Sequence, residues 1–461
     1  MFEKWIEQHR EEIIAKTQGI LRINSVGCPA CSEEQPFGPG PAEALDYFLN
    51  LGREMGFKVK NVDGYAGHIE FGEGDDYIAV VGHLDVVPAG TGWTYPPFGA
   101  EIHDGKMYAR GALDDKGPTM AGLFALQAVK ESGVKLSKRV RVIVGLDEES
   151  NWKCMDHYFK KEQLPYGGFT PDAGFPLIYA EKGLICYDIK QKRANLSAAP
   201  VVVRELKGGN RVNMVPDGCR VRLGVNGDAE AVVAQIRAVA AEKNVQLDVE
   251  AKGDEITLFV QGVSVHAMAP HAGVNAIVQA GKVLAALDTA DRAVWEFLAE
   301  NDTEGKRVGI EMVCAVTGPL TNNLGLARVK EDEVVFTYNA RHPVDKRKSD
   351  FMELMTAKLA PEGWVVTDSP GNPDMEPLYV PKDSEIVKTL LRVYEEEVGG
   401  NAEPLTIGGG TYARAIPNAV AFGALFPGQE ETAHQKDEYW AVEDLIRCTG
   451  IFAKAIYELA K

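Results

Sequence analysis

Five short stretches carry side chains that could hold metal ions and move a proton. Gly82, His83, Leu84 and Asp85 close an apolar run at residues 77–81. Further on come Asp114 and Asp115 before Lys116 and Gly117, the acidic run Asp147, Glu148 and Glu149, Asp172 between Pro171 and Ala173, and His434 after Thr432 and Ala433. A two-metal hydrolytic site needs a bridging carboxylate, about two further ligands per ion and a general base beside the attacking water. His83, Asp114, Glu149, Asp172 and His434 can supply such a ligand set, Asp85 can hold the His83 ring, and Glu148 can be the base. A lone acid at a strand end is usually a solvated cap or turn residue. Asp85, Asp114 and Glu148, each beyond a strand or turn and each near glycine, make that reading hard to apply to all three.

These residues need a scaffold. The run at 77–81 reads as a strand buried on both faces, and a His and an Asp two residues apart at its end point to the same side. Ligands of open α/β sheets bind just past strand ends. Apolar spacing predicts helices over 2–16 and 41–55, the second begun by Pro41, with a long Gly/Pro-rich loop at 27–41 between them. Strands at 57–62 and 68–71 flank Asp63 and Gly64, a hairpin signal. Pro118 starts a helix to about residue 131, and residues 139–146 read as a strand ending at the acidic run. The pattern is α/β, with a catalytic domain built on a mostly parallel central sheet flanked by helices.

After about residue 182 the texture changes. A strand at 220–225, a helix at 229–243 and strands at 246–250 and 256–261 are echoed by a strand at 334–341, a helix at 350–359 and a strand at 364–367. This predicts an inserted α+β lid domain of two ferredoxin-like halves. From residue 384 the α/β texture returns, with a helix to 398, Gly408, Gly409 and Gly410, a strand at 419–426 and a closing helix to 460. The expected division is 1–183 and 379–461 for the catalytic domain and 184–378 for the lid. His271 and His342 read as helix-start and turn residues without a role.

With 461 residues, 45% hydrophobic and 25% charged, the chain is an ordinary globular sequence long enough for two or three domains. Its net charge of −18 and lack of any basic block argue against nucleic-acid or anionic-membrane partners. No apolar run approaches the roughly 20 residues of a membrane span, and the first residues lack a signal-peptide core, so the cytoplasm is the expected location. Seven scattered cysteines suit reduced structural thiols. The Cys28 and Cys31 pair has C-x-x-C spacing without a second pair and reads as a surface loop, and Cys154 as a packing residue.

The motifs Gly-His-Leu-Asp-Val-Val-Pro at 82–88, Arg-Gly-Ala-Leu-Asp-Asp-Lys-Gly at 110–117 and Asp-Glu-Glu-Ser at 147–150 closely resemble the co-catalytic dinuclear zinc metallopeptidases, the family of aminoacylases, carboxypeptidases and dipeptidases. Within that family the chain is most similar to the PepV-type bacterial dipeptidases. The resemblance implies that His83, Asp114 and Asp172 bind one ion and Asp114, Glu149 and His434 the other, with Glu148 as general base and Asp85 beside His83. It implies two divalent ions, zinc with manganese or cobalt as alternatives. In the lid it implies His266 at the oxyanion, Asn213 in substrate binding and Arg341 on the substrate carboxylate, with Gly409 and Gly410 lining the pocket. It also implies a cis peptide between Asp114 and Asp115. The implied activity is hydrolysis of unblocked dipeptides by a metal-bridging water that Glu148 activates, in a monomer. The alternative is an N-acyl-amino-acid deacylase or carboxypeptidase on the same scaffold.

Overall fold

A computed structural model describes every residue except 1, 29, 30, 194, 195, 197, 198, 331 and 373. Pro29 and Ala30 of the C-x-x-C stretch therefore lie outside the described residues. The chain divides into two compact units, Met1–Ala180 with Leu378–Lys461, and Glu181–Pro377.

The first unit is built on a nine-stranded sheet. From one edge its strands run Lys58–Val62, Ala66–Phe71, Arg139–Gly145, Tyr77–His83, Gly167–Thr170, Ala419–Ala421, Ile178–Glu181 and Leu378–Tyr379, with Leu405–Ile407 also paired to Ile178–Glu181. The four strands around Tyr77–His83 are parallel, while Ala66–Phe71 and Ile178 join antiparallel at either side. All seven residues of Tyr77–His83 are buried, as expected for a strand covered on both faces. Helices Lys116–Glu131 and Val442–Ala460 pack on each other and on this strand. The hairpin at Asp63 and Gly64 forms, with both residues at positive φ.

Two elements differ from expectation. The first helix splits into Glu3–Gln8 and Arg10–Leu21 at His9, whose backbone leaves the helical region (φ −104°, ψ 9°) while its ring bonds the Trp5 carbonyl. The strand at 419–426 breaks into Ala419–Ala421 and Ala424–Leu425 because Gly423 takes a φ of 89°, which bends the chain out of the ladder.

The second unit holds an eight-stranded sheet with every join antiparallel. Its order is Leu247–Lys252, Glu255–Gln261, Gly218–Val225, Val201–Gly208, Thr321–Val329, Glu333–His342, Gly183–Lys192 and Val365–Asp368. In the first four, Gly218–Val225 leads through helix Ala229–Lys243 to Leu247–Lys252 at the far edge. In the last four, Glu333–His342 leads through Lys348–Leu359 to Val365–Asp368 at the other edge. Each half thus has the same spatial order, and they meet where Val201–Gly208 pairs with Thr321–Val329. His342 is not a turn residue. It ends a strand and is buried with its ring 5.0 Å from that of Phe351, because the strand runs on further than the proline after it suggests. Among the described residues, no helix is long and apolar enough to cross a membrane.

Candidate metal centre

Seven of the residues singled out by type and spacing come together in the first unit. His83 closes its strand with the ring fully buried, and Nε2 lies 3.0 Å from Asp114 Oδ1 and 3.7 Å from Asp172 Oδ2. The other oxygen of Asp114, Oδ2, lies 2.9 Å from His434 Nε2, which is itself 3.0 Å from Glu149 Oε1. One carboxylate therefore faces a histidine on each side. Ligand atoms of His83, Asp114 and Glu149 all fall within 4.8 Å of one another, as do those of His83, Glu148 and Asp172.

The backbone explains how these groups converge. Leu84 N–H bonds the Gly145 carbonyl, so the ends of the two parallel strands stay side by side, and the chain turns at once into Asp147, Glu148 and Glu149. Asp85 holds that turn: one carboxylate oxygen accepts Glu148 N–H at 3.1 Å and the other accepts Glu149 N–H at 3.0 Å. His83 Nδ1 faces the Asp85 carbonyl at 2.9 Å, closer than the Asp85 carboxylate at 3.4 Å. Asp85 thus ties the Glu148 and Glu149 turn to the His83 strand, a larger role than steadying one ring.

Asp114 precedes helix Lys116–Glu131, and its peptide to Asp115 is cis. Asp115 Oδ2 accepts His83 N–H at 3.1 Å and the Thr119 hydroxyl at 2.9 Å. Gly82 permits this, since a Cβ there would overlap Thr119 and the Asp115 carboxylate. Lys116 turns away from the acids and donates to the carbonyls of Ile20 and Ile23.

The electrostatics are those of a site built for positive charge. Burial, then the Glu149 and Asp114 carboxylates, push Glu148 well above the ordinary range against the pull of His83. Burial and Asp114 likewise raise Glu149, and burial with Asp114 and Asp115 raises Asp172. Burial also opposes ionisation of Asp114, but hydrogen bonds from His434 and His83 outweigh it and hold that carboxyl low. Asp85, Asp114, Glu148, Glu149 and Asp172 share the region with two imidazoles, and such a donor set suits hard or borderline divalent cations. The residues present therefore fit a pair of ions.

Sequence reasoning missed several supports. Tyr412 follows the Gly408 to Gly410 run. Its ring is 6.1 Å from that of His83 and 5.2 Å from that of Trp152, and its hydroxyl is 2.9 Å from Cys154 Sγ. Trp152 sits at φ 58° and donates its indole N–H to the Glu148 carbonyl at 2.8 Å. Asp147 accepts Lys153 N–H and the Ser150 hydroxyl, closing the same turn. Glu438 accepts N–H groups from Leu113 and Asp114. Asp147 stands in the acidic run already singled out, though without this role, and Glu438 has the signal of an acid four residues after His434. In the glycine run, the Gly409 carbonyl accepts Arg414 Nη2 at 2.6 Å.

The other three candidates lie in the second unit. Asn213 and His266 are neighbours there: Ala267 N–H bonds the Asn213 carbonyl and Met214 bridges His266. Arg341 is buried near the end of strand Glu333–His342, with Nε 3.0 Å from Asn339 Oδ1.

Comparison with known proteins gives consistent results. The sequence pattern of "Peptidase family M20/M25/M40" matches residues 79–458. A Bacillus subtilis (strain 168) protein named "Putative dipeptidase YtjP" is 42% identical over 468 residues, covering 100% of both chains. A Staphylococcus aureus (strain MW2) protein named "Putative dipeptidase MW1694" is 36% identical, covering 100% of this chain and 99% of its own. Among solved structures, human carnosine dipeptidase 1 aligns with a TM-score of 0.58 at 14% identity, over 99% of this chain and 98% of that one. The aminoacylhistidine dipeptidase of Vibrio alginolyticus aligns with a TM-score of 0.57 at 15% identity, over 97% of each chain. At such identities these two structures speak for the fold alone.

Proposed function

This chain belongs to peptidase family M20/M25/M40, and on that premise we propose that it is a dinuclear-metal dipeptidase acting on dipeptides with a free amine and a free carboxylate. The observation that carries the reading is Asp114, whose two oxygens face His83 and His434 separately, as a carboxylate shared by two ions must. His83, Asp114 and Asp172 would hold one ion, and Asp114, Glu149 and His434 the other. Imidazole and carboxylate donors suit zinc and also accept manganese or cobalt. Bound there, the ions would polarise the scissile carbonyl and lower the pKa of water.

The chain's own groups do the rest. A Glu148 carboxylate oxygen takes the proton of the attacking water and then delivers a proton to the leaving nitrogen. His266 donates to the oxygen that gains charge in the transition state, the kind of electrostatic help that usually dominates such hydrolysis. Asn213, with Gly409 and Gly410, contacts the substrate. Arg341 offers a planar fork to its C-terminal carboxylate through two parallel hydrogen bonds. Dipeptide amides lack that carboxylate and should be poor substrates. The enzyme should work as a monomer in the cytoplasm.

The test is a panel of dipeptides, their amides and N-acyl amino acids, assayed after chelation and after adding back zinc, manganese or cobalt. Free dipeptides should be cleaved only with metal restored. Arg341→Met should narrow the ratio of kcat/KM between a dipeptide and its amide. Preferred cleavage of N-acyl amino acids, or turnover untouched by the chelator, would overturn the reading.

A further inference from the structure

The acid missed by sequence reasoning, Glu438, joins two parts of the proposed metal centre. Its side chain is 0% exposed. Oε2 accepts Arg110 Nη1 at 2.6 Å, while Oε1 accepts two backbone groups, Leu113 N–H at 2.9 Å and Asp114 N–H at 3.2 Å. The Asp114 carboxylate projects from the second of these residues. The Glu438 carbonyl accepts Ala109 N–H at 3.1 Å, and the next three residues, Tyr439–Ala441, pair antiparallel with Lys106–Tyr108. Glu438 thus starts a short ladder that fastens the segment carrying His434 to the segment carrying Asp114, although 324 residues separate Asp114 from Glu438.

This fastening matters because His434 is held by the contacts of its ring with Asp114 and Glu149 and by its loop rather than by a packed core. Its backbone is at φ 63° and its side chain is 54% exposed, so packing does not set its place. A buried ion pair such as Arg110 with Glu438 is, moreover, a poor way to gain stability, since desolvation can cancel the attraction. The Arg110 Nε, buried without a hydrogen-bond partner, adds to that cost. What the pair supplies is a carboxyl acceptor at a fixed point, aimed at two N–H groups that an apolar residue could not satisfy.

We propose that Glu438, with its charge balanced by Arg110, is a positioning residue that sets Asp114 and the His434 segment in register, and thereby controls the affinity for the ion held by Asp114, Glu149 and His434. The inference rests on the dinuclear reading above and names a group that touches neither ion nor substrate. Without the Glu438 carboxylate, the Leu113 and Asp114 N–H groups lose their common acceptor, and the His434 loop loses one of its two buried anchors, the other being Thr432 with its bonds to Tyr439. The ion with two of its donors on these segments is affected most, and the ion held by His83 and Asp172 less.

The experiment is calorimetric titration of chelator-stripped protein with Zn²⁺, with melting of the metal-free protein and the visible absorption of the Co²⁺ form in parallel. Wild type should take up two ions. Glu438→Ala should raise the dissociation constant of the weaker ion, the one on the half-exposed His434 side as His434→Ala identifies it, roughly 10- to 100-fold, the usual effect of removing a hydrogen-bonding support behind a metal ligand. The tighter ion should shift less. Glu438→Gln keeps an acceptor oxygen and should lie between. Arg110→Met leaves a buried unpaired carboxylate and should be the least stable single variant, and adding Glu438→Gln to it should restore both melting and the weaker site. Glu438→Gln and the double variant carry the test if Glu438→Ala does not fold. A lower melting temperature with both dissociation constants and the Co²⁺ spectrum unchanged would overturn the proposal and leave the dinuclear reading intact. A wild type that takes up fewer than two ions would overturn both.

Discussion

His83 ends a strand whose seven residues are all buried, with its ring enclosed, its N–H on Asp115 and its Nδ1 on the Asp85 carbonyl. His434 faces the other oxygen of the same Asp114 from a loop at positive φ, half in solvent. The contrast teaches that the two sides of one centre are prepared differently. The His83 side is set by the sheet and exists whenever the unit is folded. The His434 side is assembled from hydrogen bonds that cross long stretches of sequence, and should open at far lower cost.

The largest effects should fall on what both sides share. Asp114→Ala removes the carboxylate between the histidines, so the protein should lose both ions and all detectable turnover. Glu148→Gln should instead keep two ions while kcat drops roughly 10²–10⁴-fold, the usual worth of a positioned general base. Metal analysis alongside initial rates separates them. Two ions retained in Asp114→Ala would break the premise that the sides share a ligand.

Next in size is the contrast itself. His83→Ala empties a buried site and strands the groups around it, costing about 1–3 kcal/mol of metal-free stability as well as one ion. His434→Ala, half exposed, should leave metal-free stability within about 0.5 kcal/mol and weaken only the ion it faces. Denaturant unfolding with and without zinc reads both numbers. Equal losses of metal-free stability would show that the two histidines are held alike.

The sheet side carries an acid limit. His68 lies two strands from His83, bonded to the Tyr158 hydroxyl at 2.8 Å, and burial, helped by Arg141, pushes its imidazole down to about 4 against the pull of Glu162 and Glu70. Because the folded state resists the proton that the unfolded chain binds near pH 6.5, stability is full above that value and falls as pH drops towards 4. The difference is about 2 kcal/mol at pH 5. His68→Gln keeps a partner for Tyr158 but does not titrate, so its deficit against wild type should shrink by that amount between pH 7 and 5 in metal-free protein. A constant deficit would mean that His68 is not held neutral.

Much of this was legible in the sequence, and the rest was not, for a physical reason. His83, Asp85, Asp114, Glu148, Glu149, Asp172 and His434 stand out because the chemistry of a metal site calls for their side-chain types, and all but His434 lie close to the end of a strand or the start of a helix. Strand periodicity places only His83 and Asp85 on a common side. Tyr412, Trp152, Asp147 and Glu438 act through contacts that only the folded chain creates, and their types are ordinary in loops. The break at Gly423 and the split at His9 were hidden for the same reason. A single glycine or a ring bonding a carbonyl four residues back leaves the apolar pattern untouched.

The smallest effect tests the loop side alone. Asp437, three residues after His434, sits at φ 57° and accepts Thr94 N–H at 2.6 Å on one oxygen and the Thr94 hydroxyl at 3.0 Å on the other. The clamp is near the surface, so its worth is that of an exposed hydrogen bond, about 0.5–1 kcal/mol, or roughly two- to fivefold in the affinity for the weaker ion. Asp437→Asn keeps an acceptor for Thr94 N–H and tolerates the left-handed backbone, so it should bind almost as wild type does. Asp437→Gly keeps the backbone free but loses the clamp, and should show the two- to fivefold loss. Asp437→Ala loses the clamp and keeps a Cβ at positive φ without the polar group that lets Asp and Asn tolerate it, so it should be weakest of the three. The readout is the zinc titration together with amide exchange over residues 430–438, which should quicken in the same order. If all three variants matched wild type in both measurements, the loop would be held without Thr94, and the difference between the two sides of the centre would rest on Glu438 and on the bonds of Thr432 to Tyr439.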